Sequence, residues 1–178
     1  QNLSVSADNS VLLVSHSGGV VVTSTDLCED YGLSLPKLSP EIQEGLRRME
    51  LPPEANVSNP MDISLGVMAA KSNENDSIDV IGDIFRYVDE RAKFAYSVFY
   101  LMADNVIESG GGKKLIENIF RFAIAFGGRD GTHPGRFILA ANSHTRPEAL
   151  KPLRDEAATK RVTNFDNLHQ KLQRISWP

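Results

Sequence analysis

The residues best suited to chemistry lie where a short apolar run gives way to a helical pattern. The run Val11 to Val14 is partly β-branched and predicts a buried strand, and Ser15-His16-Ser17-Gly18-Gly19 then leads into a helix predicted from about Val20 to Tyr31. The unpaired N–H groups and partial positive charge of a helix N-terminus can hold a phosphate. The candidate phosphate-contacting residues are therefore Ser17, Gly18 and Gly19. The alternative is a tight strand-to-helix turn in which glycine supplies a positive φ.

A second group of polar residues lies in a connection rich in Pro and Asn, from Leu51 to Ser64. Proline prevents this stretch from continuing a helix or strand, and long loops in compact domains are often functional. Ligands of doubly wound folds bind outside the carboxyl ends of the strands, where we expect this loop to lie. Its candidate substrate-side residues are Asn59, Asp62 and Ser64. Alternatively, Asn59 and Asp62 cap turns by bonding nearby backbone, and both interpretations can hold together.

Histidine is the remaining candidate for catalysis, and the chain has four: His16, His133, His144 and His169. A phosphohistidine needs to be exposed beside a carboxylate and helix N-termini. His16 lies in the candidate phosphate turn, where it could contact a ligand or be an ordinary loop residue. His144 is interpreted as a loop residue near a helix N-cap. No spacing of His, Cys and carboxylate residues indicates a metal site, because the one cysteine, Cys28, falls on a predicted core face.

Composition narrows the class of protein. The 178 residues are 41% hydrophobic and 24% charged, with a formal net charge of -4, which is ordinary for a globular domain. Nucleic acid is an unexpected partner, since no Lys/Arg run could follow a phosphate backbone. No apolar run approaches the roughly 20 residues of a membrane span, and a single cysteine fits a reducing compartment, so we expect a cytoplasmic protein. The opening Gln1 suggests a piece of a longer chain.

Strand and helix patterns alternate along the sequence. The predicted strands are Val11–Val14, Leu33–Leu38, Phe94–Met102, Arg136–Ala141 and Lys160–Thr163. The predicted helices are Val20–Tyr31 ending at Gly32, Ser39–Met49 with Ser39 as N-cap and Pro40 first, Ile78–Ala92, Leu115–Phe126, Pro147–Ala157 and Phe165–Ile175. This alternation predicts one α/β domain over residues 1–178, a flavodoxin-like three-layer α/β/α fold with a mainly parallel sheet of about five strands.

A known family shares the order of several segments. They are Ser15-His16-Ser17-Gly18-Gly19, Glu29-Asp30-Tyr31-Gly32-Leu33, Leu35-Pro36-Lys37-Leu38-Ser39, Glu41-Ile42-Gln43, Pro52-Pro53 and Asn56-Val57-Ser58-Asn59-Pro60-Met61-Asp62-Ile63-Ser64. This order resembles the last flavodoxin-like subdomain of the NDP-forming (ADP-forming) acyl-CoA synthetases, which is related to the C-terminal domain of the succinyl-CoA synthetase β subunit. The most specific part, Asn59 to Ser64, is similar to the family's Asn-Pro-Val-Asp-Leu/Ile-Thr segment. This sequence departs from the family at the turn before the first helix. The family has Gly-Gly-Pro-Gly there, whereas Val20-Val21 follow Gly18-Gly19 in this chain.

The resemblance implies a subdomain of an acid–CoA ligase. Family enzymes pass a phosphoryl group through an acyl phosphate and a phosphohistidine to a nucleotide. The resemblance therefore implies that Ser17, Gly18 and Gly19 contact the phosphate or phosphohistidine of a shared site. It also implies ATP/ADP, Mg and CoA for the full enzyme, with none of them bound by this domain alone. Asn142-Ser143-His144-Thr145 is superficially similar to the surroundings of the family's phosphorylated His, but that residue belongs to the preceding subdomain. No residue of this chain is therefore assigned as catalytic, and His144 as the phosphohistidine is the alternative.

Partners follow from the same resemblance. ATP-grasp and CoA-binding domains, in the same chain or in another, are expected to complete the site, and the domain alone is not expected to be active. Apolar surface left open by missing partners could also produce a homodimer. One alternative function is a non-catalytic binding or regulatory module that keeps the fold and has lost the turn chemistry, as Val20-Val21 could indicate. Flavin electron transfer rests on fold analogy alone.

Overall fold

A four-stranded parallel sheet organises the part of the chain that the computed structural model describes, which is residues 8–49, 51, 53–63, 80–102, 121–127, 136–142, 151 and 155. The strands are β1 (Val11–Ser15), β2 (Met61–Asp62), β3 (Tyr96–Met102) and β4 (Phe137–Asn142). Their order across the sheet is β2-β1-β3-β4, and every neighbouring pair is parallel. The helices are α1 (Gly18–Asp30), α2 (Pro40–Arg47) and α3 (Val80–Asp89), and residues 121–127, 151 and 155 are also helical.

Helices cover the sheet on both faces, which gives the predicted flavodoxin-like α/β/α architecture. Successive residues of a strand point to opposite faces, and Leu12 and Val14 point into the main hydrophobic core. That core also holds side chains of α2, α3 and residues 121–127, so these three helices share one face. Helix α1 contacts β1 and β2, and its Val21 is buried. It packs on the other face, where Val11 and Leu13 are buried outside that core.

The helix ends follow local rules that the sequence already displays. Ser39 caps α2 by accepting a hydrogen bond from the Ile42 amide at 3.4 Å, and Pro40 occupies the first helical position, as predicted. At the end of α1, Gly32 has φ of +68°, and the amide of Leu33 donates to the Cys28 carbonyl at 2.7 Å. This is the Schellman arrangement, for which glycine is favoured because a left-handed backbone carries no Cβ penalty there.

Two expectations about the strands were wrong. Leu33–Leu38 is not a strand, since only Ser34 makes an isolated parallel bridge, to Ser10. Pro36 has no amide donor to extend that bridge into a ladder. The place beside β1 is taken instead by β2, a two-residue strand within the connection predicted to be irregular. The predicted strand Lys160–Thr163 and the predicted helix Phe165–Ile175 lie outside the described residues.

Candidate functional site

The carboxyl end of β1 and the N-terminus of α1 form the centre of the candidate site. Ser17 is the N-cap of α1, with extended backbone, but its side chain makes no capping hydrogen bond. The helix begins at Gly18, two residues earlier than predicted, so Gly18 and Gly19 form its first turn and are exposed. Within the described chain, Gly32 alone among the glycines has a positive φ, so the positive-φ interpretation of the glycine pair was wrong. The first-turn amides have no acceptor within the helix.

Asp62 lies close to Gly18, the first residue of α1. Parallel pairing sets Ser15 opposite Asp62, and the amide of Ile63 donates to the Ser15 carbonyl at 2.8 Å, so the end of β2 lies beside the turn. A Cβ added at Gly18 would lie 2.9 Å from Oδ2 of Asp62, which is closer than real Cβ contacts. Among the described residues outside its own turn, a Cβ added at Gly19 would meet nothing within 4 Å. The carboxylate therefore sits against the first turn of α1, and none of the described residues fills the space above Gly19.

Asn59 holds the Asp62 loop to β1 through its side chain. Its Oδ1 accepts from the Leu13 amide at 3.0 Å, and its Nδ2 donates to the carbonyl oxygens of Val11 at 2.7 Å and Pro36 at 3.0 Å. The carboxamide thus takes the carbonyl of Val11 and the amide of Leu13, as a residue of a neighbouring parallel strand would. The side chain is 3% exposed and faces the backbone of β1. These partners lie 23 to 48 residues away in the sequence, so Asn59 does not cap a turn of its own loop, and its side chain instead ties the segment before Asp62 to β1.

Two electrostatic effects act on the Asp62 carboxyl in opposite directions. Asp62 is half-buried, and burial raises the pKa of its carboxyl above the usual value because desolvation penalises the charged form. The positive end of α1 favours the charged form at the same place. Asp62 is therefore a carboxyl that takes up a proton more readily than an exposed aspartate and that lies beside open amide donors. The site offers hydrogen-bond donors on one side and a titratable acceptor on the other.

The other residues singled out from the sequence fall in different surroundings. His16 is 6% exposed, so its ring is packed at the end of β1 and is not presented to solvent as a phosphohistidine would be. Cys28 is half-buried, and burial raises the pKa of its thiol, which agrees with a packing role. Ser64, His133, His144 and His169 lie outside the described residues. Within the described ranges, no group of three or more His, Cys, Asp and Glu side chains could hold a metal ion.

One residue of the site was not among the candidate site residues predicted from the sequence. Ser15 is fully buried at the end of β1, and its Oγ accepts a hydrogen bond from the Ser17 amide at 3.3 Å. It therefore shapes the turn that leads into α1. A hydroxyl at the last position of an apolar strand was the available signal, because buried hydroxyls need a partner nearby.

In the portion of the chain that is described, no helix has the length and apolar character needed to cross a membrane.

Comparison with known proteins supports a link to CoA ligases over part of the chain. No protein-family model matches the sequence. The chain is similar to the ADP-forming acetate–CoA ligase of Methanocaldococcus jannaschii, with 37% identity over 57 residues. The matched stretch covers 32% of this chain and spans only 8% of the length of that enzyme. The similarity is thus to a small part of a much longer ligase.

Proposed function

We propose that this chain is a domain of an acid–CoA ligase and contributes the N-terminus of α1, together with Asp62, to an active site shared with ATP-grasp and CoA-binding domains. The observation that carries the proposal is the contact between the Asp62 carboxylate and the first turn of α1. The Asn59 to Ser64 segment, which most resembles the acyl-CoA synthetases, is the segment that delivers Asp62 to this turn. The partial similarity to an acetate–CoA ligase supports the same class of reaction.

The chemistry of the site suits a phosphorylated imidazole better than a free phosphate. Open amides of the first turn can donate to phosphoryl oxygens, and the partial positive charge of the helix favours the anion. A free phosphate would be repelled by an ionised Asp62 beside it. In a phosphohistidine, by contrast, the ring nitrogen without the phosphate can donate to the Asp62 carboxylate when it carries a proton. The first-turn amides would then bind the phosphoryl group, and Asp62 would bind the imidazole ring.

The test is an assay of acid- and CoA-dependent ADP release by the full polypeptide that contains these residues. Gly19→Val adds bulk at the first turn, where its Cβ would meet no described residue beyond its own turn of the helix within 4 Å. We expect it to lower turnover by at least about tenfold, the scale set by losing a positioned donor in an active site. Asp62→Ala should lower turnover as well. Asp26→Ala, exposed in the middle of α1, is the matched control and should keep wild-type turnover.

The outcomes separate the proposal from its alternative. Wild-type turnover in folded Gly19→Val and Asp62→Ala variants would refute the assignment of the site. A native polypeptide that binds partners but releases no ADP would favour the non-catalytic module, which Val20 and Val21 in place of the family's Pro-Gly could indicate. Circular dichroism of each variant shows that a loss of turnover is not a loss of fold.

A further inference from the structure

The turn between β1 and α1 has a neighbouring strand on each side. Ser15, the last residue of β1, pairs in parallel register with Asp62 of β2 and with Tyr100 of β3. Paired residues of neighbouring parallel strands point to the same face of a sheet, so Asp62 and Tyr100 flank the turn at one level. Two strand spacings put about 10 Å between the Cα atoms of Asp62 and Tyr100. The chain therefore leaves β1 between a carboxyl and a phenol.

Tyr100 stands on the face of the sheet that carries α1. Side chains alternate along β3, and its Phe99 and Leu101 belong to the main core together with Leu12 of β1. Tyr100 therefore points to the opposite face, where α1 packs on β1 and β2. Side chains of a strand stand roughly perpendicular to the sheet. The phenol of Tyr100 thus rises beside the same turn that Asp62 borders from β2.

The Tyr100 hydroxyl can form a hydrogen bond that the described part of the chain does not supply. Tyr100 is half-buried, and none of the described residues donates to its hydroxyl or accepts from it. Its neighbours on the same face of the sheet, along β3 and across to β1 and β4, are apolar: Val98, Leu13 and Ala140. A tyrosine hydroxyl in such surroundings usually has a partner. A ligand bound at the turn can be that partner.

We propose that Tyr100 donates a hydrogen bond to the phosphoryl group of the phosphohistidine at this turn, and so fixes which way round the phosphohistidine lies. The inference rests on the proposed function. The Asp62 carboxylate is an acceptor, which suits a protonated ring nitrogen, whereas a phenol near neutral pH is a donor, which suits a phosphoryl oxygen. The imidazole ring then lies on the β2 side of the turn and the phosphoryl group on the β3 side.

This orientation also keeps like charges apart. With the phosphoryl group beside Tyr100, the ionised Asp62 carboxylate lies on the far side of the turn, and the repulsion between the two anions falls as their distance grows. The first-turn amides of α1 lie between the two side chains and donate to the phosphoryl oxygens as well. Tyr100 keeps its proton, so it binds and orients the phosphoryl group and takes no part in bond breaking.

Tyr96 provides a matched control on the same strand and the same face. It is half-buried like Tyr100, but it lies opposite Val11, about 13 Å toward the amino ends of the strands. Ligands of parallel sheets bind at the carboxyl ends. In the full polypeptide that contains these residues, we expect Tyr100→Phe to lower acid- and CoA-dependent ADP release by at least about tenfold, the scale of a lost hydrogen bond to a charged group. Tyr96→Phe should keep wild-type turnover.

The phosphorylation equilibrium gives a second measurement, which responds to a contact with the phosphoryl group itself. The same polypeptide is incubated with ATP and ADP at a fixed ratio, and its phosphohistidine is quantified as acid-labile, base-stable phosphate. Tyr100→Phe should lower the ratio of phosphorylated to unphosphorylated histidine by about tenfold, because only the phosphorylated form bonds to the hydroxyl. Tyr96→Phe should leave this ratio unchanged.

The outcomes distinguish this inference from the proposed function. If Gly19→Val and Asp62→Ala lower turnover while Tyr100→Phe matches the wild type in both measurements, the role of Tyr100 is refuted and the proposed function stands. Equal losses for Tyr100→Phe and Tyr96→Phe would also overturn the role of Tyr100, since the effect would then act through packing of β3. Wild-type turnover in folded Gly19→Val and Asp62→Ala variants would refute the proposed function, and this inference with it.

Discussion

At the scale of single residues, Asp62 combines properties that its position in the loop does not suggest. It is the last residue of a two-residue strand, it faces the first turn of α1, and burial raises its pKa. A carboxylate near a helix N-terminus is usually stabilised in its charged form. For Asp62, desolvation outweighs this stabilisation, so its ionised form is less favourable than that of an exposed aspartate. Such a group can exchange a proton with a ligand more readily than an exposed aspartate.

Replacement of Asp62 by asparagine should therefore change how stability depends on pH. The folded-state pKa of Asp62 is above its unfolded value, so between the two values the folded protein binds more protons than the unfolded chain. Its free energy of unfolding then falls as pH rises. Relative to Asp62→Asn, the wild-type protein should be favoured below the ordinary Asp pKa of about 3.9, and this advantage should be lost as pH rises through the raised pKa.

Urea unfolding of both proteins between about pH 3 and pH 7 measures this difference directly. A difference that is constant with pH would show that Asp62 titrates as it does in the unfolded chain. A difference of the opposite slope would show that the N-terminus of α1 outweighs desolvation. Glu41→Gln, an exposed carboxyl in the first turn of α2, is a control that separates desolvation from the charge of a helix end.

At the scale of elements, Asn59 joins a loop to a strand where a neighbouring strand is interrupted. Ser34 bonds the first residue of β1, β2 pairs with its last two residues, and the Asn59 carboxamide bonds the backbone between them. The side chain thereby satisfies buried strand groups that no backbone reaches. Unpaired groups at this depth would cost about 1–3 kcal/mol each. The loop that carries Asp62 is held to β1 by the Asn59 side chain together with the pairing of β2.

Asn59→Ala should accordingly destabilise the domain by about 3 kcal/mol, because it leaves the Leu13 amide and the carbonyls of Val11 and Pro36 without their partner. Chemical unfolding gives the difference. Ser58→Ala is the control and should cost less than about 1 kcal/mol, since the Ser58 hydroxyl donates to Asn56 of its own loop and, among the described residues, to no other segment. Equal losses for the two variants would contradict the bridging role of Asn59.

The elements also show what a sequence can predict. The caps of α1 and α2 were predicted because Gly32, Ser39 and Pro40 act through their own neighbours in the chain. Strand β2 was missed because two residues in a loop rich in Pro and Asn carry no periodicity of their own. Its pairing depends on β1, which is remote in sequence. Likewise, the glycine pair indicated a site, but the contact between Gly18 and Asp62 follows from the register of Ser15 against Asp62.

At the scale of the whole molecule, an aromatic cluster ties together elements that are far apart in the chain. Phe85 of α3 stacks on Phe122 with 5.7 Å between ring centroids, and it meets Phe137 of β4 edge-on at 5.2 Å. Phe126 completes the cluster 6.3 Å from Phe85. Phe85 itself is 0% exposed. The cluster belongs to the same core as Leu12 and Val14 of β1. A substitution at Phe85 should therefore also destabilise β1, the strand that leads into the site.

Phe85→Ala should lower the free energy of unfolding by about 3–5 kcal/mol, the usual cost of removing a buried phenylalanine ring from a packed core. Ile124→Ala is the matched control in the helix of residues 121–127, because Ile124 is 38% exposed and should cost less than about 1 kcal/mol. Denaturant unfolding, followed by circular dichroism and by hydrogen exchange of the Leu13 amide, tests whether α3 and β1 unfold together as parts of one core. If Phe85→Ala weakened α3 while the Leu13 amide kept its protection, the site would rest on a unit that unfolds separately. Coincident transitions, with both probes shifted together, would mean that the position of Asp62 against α1 depends on packing across the whole sheet.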